Sequence, residues 1–241
     1  MPETVVLLHG FGGTRRTWDG VAARLERERY RPLALELPGH GQAADERPIT
    51  FAGCAERVLA RAPERFTLCG YSMGGRVALH TALAAPGRIS RLVLIACSAG
   101  IEEEVARAER RRAEEALAAQ LEAGRFEQFL ERWSSQPLFA HDPPRVRELA
   151  QEDQRRNRPE ALAAVLRGIG AGRMQPLWRE LAQLGMPAVV LVGERDHAYH
   201  AIARRMAAAL GSGRLVRVSG GHRLALENPA AVARALQGID A

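Results

Sequence analysis

Six short apolar runs, separated by stretches of helical periodicity, most constrain what this chain can fold into. They are TVVLLH (4–9), YRPLALEL (30–37), FTLCG (66–70), RLVLIACS (91–98), PAVVLVG (187–193) and RLVRVS (214–219). Their length, β-branched content and bounding Gly or Pro predict strands. Between them, WDGVAARLERE, GGRVALHTALAAP and AYHAIARRMAAAL place apolar residues at helical spacing, the second ending at a proline and the third at Gly211. Helical patterns lie between most of the runs, and such alternation implies a mostly parallel sheet covered by helices on both faces.

The alternation breaks once. From 99 to 180 no strand pattern occurs; the stretch is rich in Ala, Glu and Arg, with opposite charges at i,i+4, and predicts several helices. The expected organisation is an α/β core of residues 1–98 and 181–241, with 99–180 inserted as an all-helical cap. The cap is expected over the carboxyl edge of the sheet, where open α/β sheets bind ligands.

Composition narrows the function. The net charge is +6, and all 34 basic residues are arginine. A GC-rich genome accounts for the missing lysine, and arginine also suits bidentate binding of an anionic substrate. The arginines are interleaved with acids and aromatics make up 5% of the chain, which argues against nucleic acid as a partner. Cys54, Cys69 and Cys97 form no C-x-x-C pair and read as reduced core residues, not as a disulfide framework or zinc site. The first apolar run is too short to span a membrane and lacks a signal-peptide pattern, so a cytoplasmic protein is expected; the chemistry read below implies no metal or organic cofactor.

G-x-S-x-G in CGYSMGGR follows a predicted strand and opens a predicted helix, which puts Ser72 on a sharp strand-to-helix turn with its hydroxyl exposed. A nucleophilic or basic serine needs a histidine, and that histidine an orienting carboxylate. Asp196 in VVLVGERDH and His222 in VRVSGGHRLALENP stand just beyond the last two strands, with Glu194 the reserve carboxylate. His80 falls inside a helix, His141 in a Pro-rich loop, and His197 and His200 too close to Asp196. The oxyanion donors are expected to be the amides of Met73 and, in LHGFGG, Phe11. His9 and His40 read as loop-ordering residues.

Taken together, LHGFGG, LPGHG, GYSMGGR, GERD and GGH resemble the α/β-hydrolase superfamily along the whole chain. The cap segments AERRRAEEALA, FEQFLERWSSQPLF, RRNRPEALAAVLRGIGAG and QPLW are similar to the MenH-type 2-succinyl-6-hydroxy-2,4-cyclohexadiene-1-carboxylate synthases of menaquinone biosynthesis. That resemblance implies an α/β-hydrolase fold with a helical cap, and a carbon–oxygen lyase that uses its triad to eliminate pyruvate from a multiply carboxylated cyclohexene. It assigns Ser72, Asp196 and His222 to the triad and Tyr71, Arg76, Arg110, Trp133 and Arg155 to substrate binding, with Arg156 the fallback for the last. Two departures are Ala198, where many relatives carry lysine, and Ala225, where a second histidine is usual; both are expected at the pocket rim. The triad itself is equally compatible with a serine carboxylesterase, thioesterase or carbon–carbon bond hydrolase. Arg76, one helical turn beyond Ser72, points to a carboxylated substrate and favours elimination.

Overall fold

Along β1 (Glu3–Leu8) successive side chains leave the sheet in opposite directions, and both directions are buried. Val5 and Leu7 enter one apolar core with Cys69, Val189 and Leu191, while Val6 and Leu8 enter another with Leu68 and Val190. A strand that must be apolar on both faces belongs in the middle of a covered parallel sheet. In the computed structural model, which describes residues 1–238, β1 lies between β2 (Tyr30–Leu35) and β3 (Phe66–Tyr71).

The order of the six strands is β2-β1-β3-β4-β5-β6, with β4 at Ile89–Ile95, β5 at Ala188–Gly193 and β6 at Gly213–Val218. Every pairing is parallel. All six predicted strands are present. The chain moves outward one way from β1 to β2 and the other way from β1 to β3, so the loops after β1 and β3 part at a topological switch point. Such a point is where open α/β sheets form their ligand crevice.

Helices α1 (Asp19–Ala22), α2 (Phe51–Arg61) and α3 (Met73–Ala84) belong to the first half of the core. Thr50 caps α2 by accepting the Gly53 amide at 3.0 Å. The next four helices are α4 (Glu104–Glu122), α5 (Phe126–Ser134), α6 (Pro144–Gln154) and α7 (Pro159–Ile169), all between β4 and β5. Three of them share a small apolar cluster of their own: Ala118 and Leu121 from α4, Phe129 and Leu130 from α5, Leu162 and Leu166 from α7. Phe11, from the loop after β1, packs against that cluster as well as the main core, so the helical segment is seated directly on the switch point. The chain closes with α8 (His197–Ala209), α9 (Leu224–Glu227) and α10 (Pro229–Leu236).

Cys54, Cys69 and Cys97 are buried and unbridged, and burial pushes the Cys54 and Cys97 thiols up to about 12. Among the described residues no helix is long and apolar enough to cross a membrane.

Candidate active site

Ser72 stands between β3 and α3 with φ 52° and ψ −112°, left-handed backbone that a non-glycine residue adopts at a cost. The turn is possible because its neighbours lack side chains. A Cβ at Gly74 would lie 2.3 Å from the Leu8 carbonyl oxygen, and one at Gly70 would lie 2.3 Å from that of Gly74. The Ser72 amide donates to the Ile95 carbonyl at 2.9 Å, which ties the turn to the end of β4. The strain lifts the hydroxyl above the sheet edge.

Two further strand ends supply its partners. Asp196, just past β5, accepts from His222 Nδ1 at 2.8 Å, and His222 Nε2 lies 3.2 Å from Ser72 Oγ. Both Asp196 and His222 are buried. The two loops brace each other: Arg195 N–H donates to the Gly220 carbonyl at 2.9 Å, and Glu227 pairs with Arg195 while accepting the Gly221 amide at 2.7 Å. Tyr71, Tyr199 and Phe139 surround the imidazole, with ring centroids at 5.4, 4.8 and 5.8 Å. Burial pushes the phenols of Tyr71 and Tyr199 above their usual range and keeps them neutral. Glu194 is exposed and has no part in this chain of hydrogen bonds.

Among the described residues, the amides of Phe11 and Met73 have no acceptor. For Met73 this follows from its place at the first position of α3, where an N–H has no intrahelical partner. The loop that carries Phe11 is fixed on every side. His9 Nδ1–H donates to the Gly10 carbonyl at 2.8 Å and Nε2 accepts the Leu37 amide at 3.1 Å. His40 Nε2 accepts the Gly12 amide at 3.2 Å. Both rings are buried, and burial holds their pKa values below the ordinary histidine value. Neutral imidazoles are what this pattern of one donor and one acceptor requires.

Two residues that the sequence reading missed hold the same loop from the helical segment. The Asp153 carboxylate accepts the Thr14 amide at 2.8 Å, the Thr14 hydroxyl at 2.5 Å and the Thr17 hydroxyl at 3.1 Å. Asn157 donates to the Gly12 carbonyl at 2.7 Å and accepts the Gly41 amide at 2.9 Å. In the sequence, EDQRRN reads as one more charge-paired helix face; nothing local shows that the acid turns inward.

Ser72 and His222 open onto a cavity of about 1070 Å3, mouth included. Arg76 lines it, and among the described residues its guanidinium has no acidic partner. Its Nη1 is buried without a hydrogen bond, its Cζ lies 6.0 Å from the centroid of Phe51, and burial holds its pKa below the usual arginine value. Arg110 also lines the cavity and donates through Nε to Glu114 at 2.8 Å. Glu114, itself buried, accepts the amides of Ala171 and Gly172 at 2.8 and 3.0 Å. Trp133 forms part of the wall, packed on Phe11, Phe129 and Phe139.

Arg155 is elsewhere. It is exposed, lies outside the cavity and forms a two-point pair with Glu127 of α5 at 2.9 and 3.3 Å. The fallback, Arg156, pairs with Glu152 at 2.7 Å and is also outside. Both follow the end of α6, and the inward positions there belong to Asp153, Gln154 and Asn157. The expected rim positions are corrected too. Ala198 is exposed and Ala225 sits in the second apolar core, and neither faces the cavity. Of the other histidines, His80 stacks on Phe51, His141 and His197 are exposed, and His200 hydrogen-bonds the Gly193 carbonyl.

The chain belongs to the alpha/beta hydrolase family, whose model matches residues 5–235. Within that family it belongs with the 2-succinyl-6-hydroxy-2,4-cyclohexadiene-1-carboxylate synthases. The synthase of Salmonella schwarzengrund (strain CVM19633) is 32% identical, over 98% of this chain and 93% of that protein. That of Enterobacter sp. (strain 638) is 31% identical, over 98% and 90%. The solved structure of MenH from S. aureus superposes with a TM-score of 0.91 at 31% identity, covering 98% of this chain and 92% of that one. An enol-lactonase from Burkholderia xenovorans LB400, at 24% identity and a TM-score of 0.74, shares the fold.

Proposed function

We propose that this protein is a carbon–oxygen lyase of menaquinone biosynthesis. It eliminates pyruvate from 2-succinyl-5-enolpyruvyl-6-hydroxy-3-cyclohexene-1-carboxylate to give 2-succinyl-6-hydroxy-2,4-cyclohexadiene-1-carboxylate. The observation that carries the reading is the unpaired guanidinium of Arg76 in the cavity served by Ser72 and His222. A neutral ester brings no counter-ion to a guanidinium that has no hydrogen-bonded acid, whereas a carboxylated substrate supplies one. The synthases that this chain resembles along its whole length make a carboxylated product, as their name states.

Asp196 holds His222 with Nδ1 protonated, so that Nε2 draws the proton from Ser72. The Ser72 oxygen then takes the proton from the ring carbon beside the succinyl ketone. The electron pair of that C–H bond passes through the ring double bond to the carbon bearing the enolpyruvyl ether. The C–O bond breaks, and the enolpyruvate released takes a proton from imidazolium to become pyruvate. No water is consumed. In the intermediate the negative charge rests on the ketone oxygen, which accepts hydrogen bonds from the Phe11 and Met73 amides. Arg76 and Arg110 grip substrate carboxylates, Tyr71 and Trp133 shape the wall, and residues 99–180 act as a cap that keeps bulk water from the intermediate.

The test supplies the chain with the precursor made by the preceding enzyme and follows the conjugated diene by absorbance, with p-nitrophenyl esters in parallel. Turnover of the precursor, with esters poor substrates, is expected. Fast ester hydrolysis with no diene would overturn the reading in favour of a serine hydrolase.

A further inference from the structure

The residue after His222 brings a third guanidinium to the cavity. Arg223 is 5% exposed and lines the cavity together with Arg76 and Arg110. Its Nη1 donates to Asp142, a buried carboxylate from the loop before α6. Its Cζ lies 3.7 Å from the centroid of Phe139, whose ring stands 5.8 Å from that of His222. The fork is therefore held by an ion pair and by an aromatic face, while its Nε and Nη2 have no acceptor among the described residues. Arg110 is built the same way: one buried carboxylate, Glu114, takes one of its donors. Two donors of a residue that lines the cavity are thus left without a protein acceptor, which a pair serving only to fasten the cap does not require. Burial also raises the Asp142 carboxyl above its usual range despite the adjacent cation, so the pair is a costly fastener.

The precursor carries three carboxylates, on its ring, its succinyl arm and its enolpyruvyl group. Arg76 and Arg110 account for two, and Arg155 faces away from the cavity. We propose that Arg223 binds the remaining substrate carboxylate at the His222 end of the cavity, and that Asp142 and Phe139 hold its fork in the binding orientation. This assignment rests on the lyase reading. It makes Arg223 a determinant of specificity for a tricarboxylate over a dicarboxylate.

The test measures precursor binding by calorimetry in a Ser72→Ala background, where the ligand is not consumed. Arg223→Gln is expected to weaken binding about 10- to 100-fold, the loss of one charge-assisted contact, and Arg223→Lys to recover part of it. Asp142→Asn keeps the guanidinium on Phe139 and is expected to cost about three-fold, since only the hold on the fork is loosened. Equal losses in Arg223→Gln and Asp142→Asn would reveal a cap fastener and overturn the proposal, as would unchanged binding in Arg223→Gln. Should Arg223→Gln fail to fold with Asp142 stranded, the double variant Asp142→Asn/Arg223→Met removes both charges. It is expected to bind the precursor about 10- to 100-fold more weakly than the Ser72→Ala parent, and parent-like binding would overturn the proposal. Precursor that binds Ser72→Ala tightly but is not turned over by the unmodified chain counts against the lyase reading alone. No binding at all overturns both.

Discussion

Replacing Arg76 with methionine should make the protein more stable and nearly inactive. The guanidinium has a buried Nη1 with no acceptor and no acidic partner among the described residues, and its pKa is depressed by burial. An unsatisfied buried donor costs about 1–3 kcal/mol, and methionine fills much of the same path beside Phe51 without that cost. For a chain of this length about 1 kcal/mol corresponds to roughly 2–4 °C in Tm, so a rise of about 2 to 12 °C is expected by scanning calorimetry. On the proposed role of Arg76 the same change removes a grip on a substrate carboxylate, so kcat/KM for the precursor should fall by about 2–4 kcal/mol of transition-state free energy, roughly 30- to 1000-fold. A binding role predicts opposite signs for the two effects. A lower Tm with intact turnover would show instead that Arg76 is structural.

Asp153→Asn keeps the volume but loses one acceptor and the charge that hold Thr14 and Thr17, so the Phe11 amide should drift from its place. Steady-state kinetics should show kcat falling by about 10- to 300-fold, short of losing an oxyanion donor outright, with KM changed little; a loss confined to KM would contradict it. Arg155→Ala should leave kcat/KM within about two-fold and Tm nearly unchanged, because exposed ion pairs contribute little; a large kinetic loss would return Arg155 to the site. Burial and the nearby Arg76 hold His80 down at about 4, and burial lowers His9 and His40. The unfolded chain gains protons at these histidines near pH 6.5. Their contribution is thus complete above that pH and is lost as pH falls from 6.5 toward 4. Tm should decline over that window, less steeply in His80→Gln; a flat profile would contradict this.

The fold was legible because its signals are local. Apolar runs such as TVVLLH are strands only in a sheet covered on both faces, and the alternation names the rest. Ser72 was legible because glycines at 70, 74 and 75 have one common cause, the close approach of α3 to β1, β3 and the loop after β4. Asp196 and His222 followed from strand ends. The helical segment was less readable, because charge pairing at i,i+4 looks alike whether a helix faces water or a cavity. Arg155 and Asp153 are two residues apart: one pairs with Glu127 in solvent, the other is buried against Thr14. Which of them turns inward depends on how α6 sits on the β1 loop, a contact spanning 139 residues that no local pattern encodes. Arg223 was hidden for the same reason, since its partner Asp142 lies 81 residues away.

The most direct test of the central claim is the stoichiometry of pyruvate release. Pyruvate, read through NADH consumption by lactate dehydrogenase, and diene, read by absorbance, are followed together for the unmodified chain and for Ser72→Ala. Equal amounts of pyruvate and diene are expected from the precursor, with a Ser72→Ala rate at least about a thousand-fold lower if Ser72 acts in a triad. Pyruvate released at the same rate without Ser72, or precursor consumed without pyruvate, would contradict that claim.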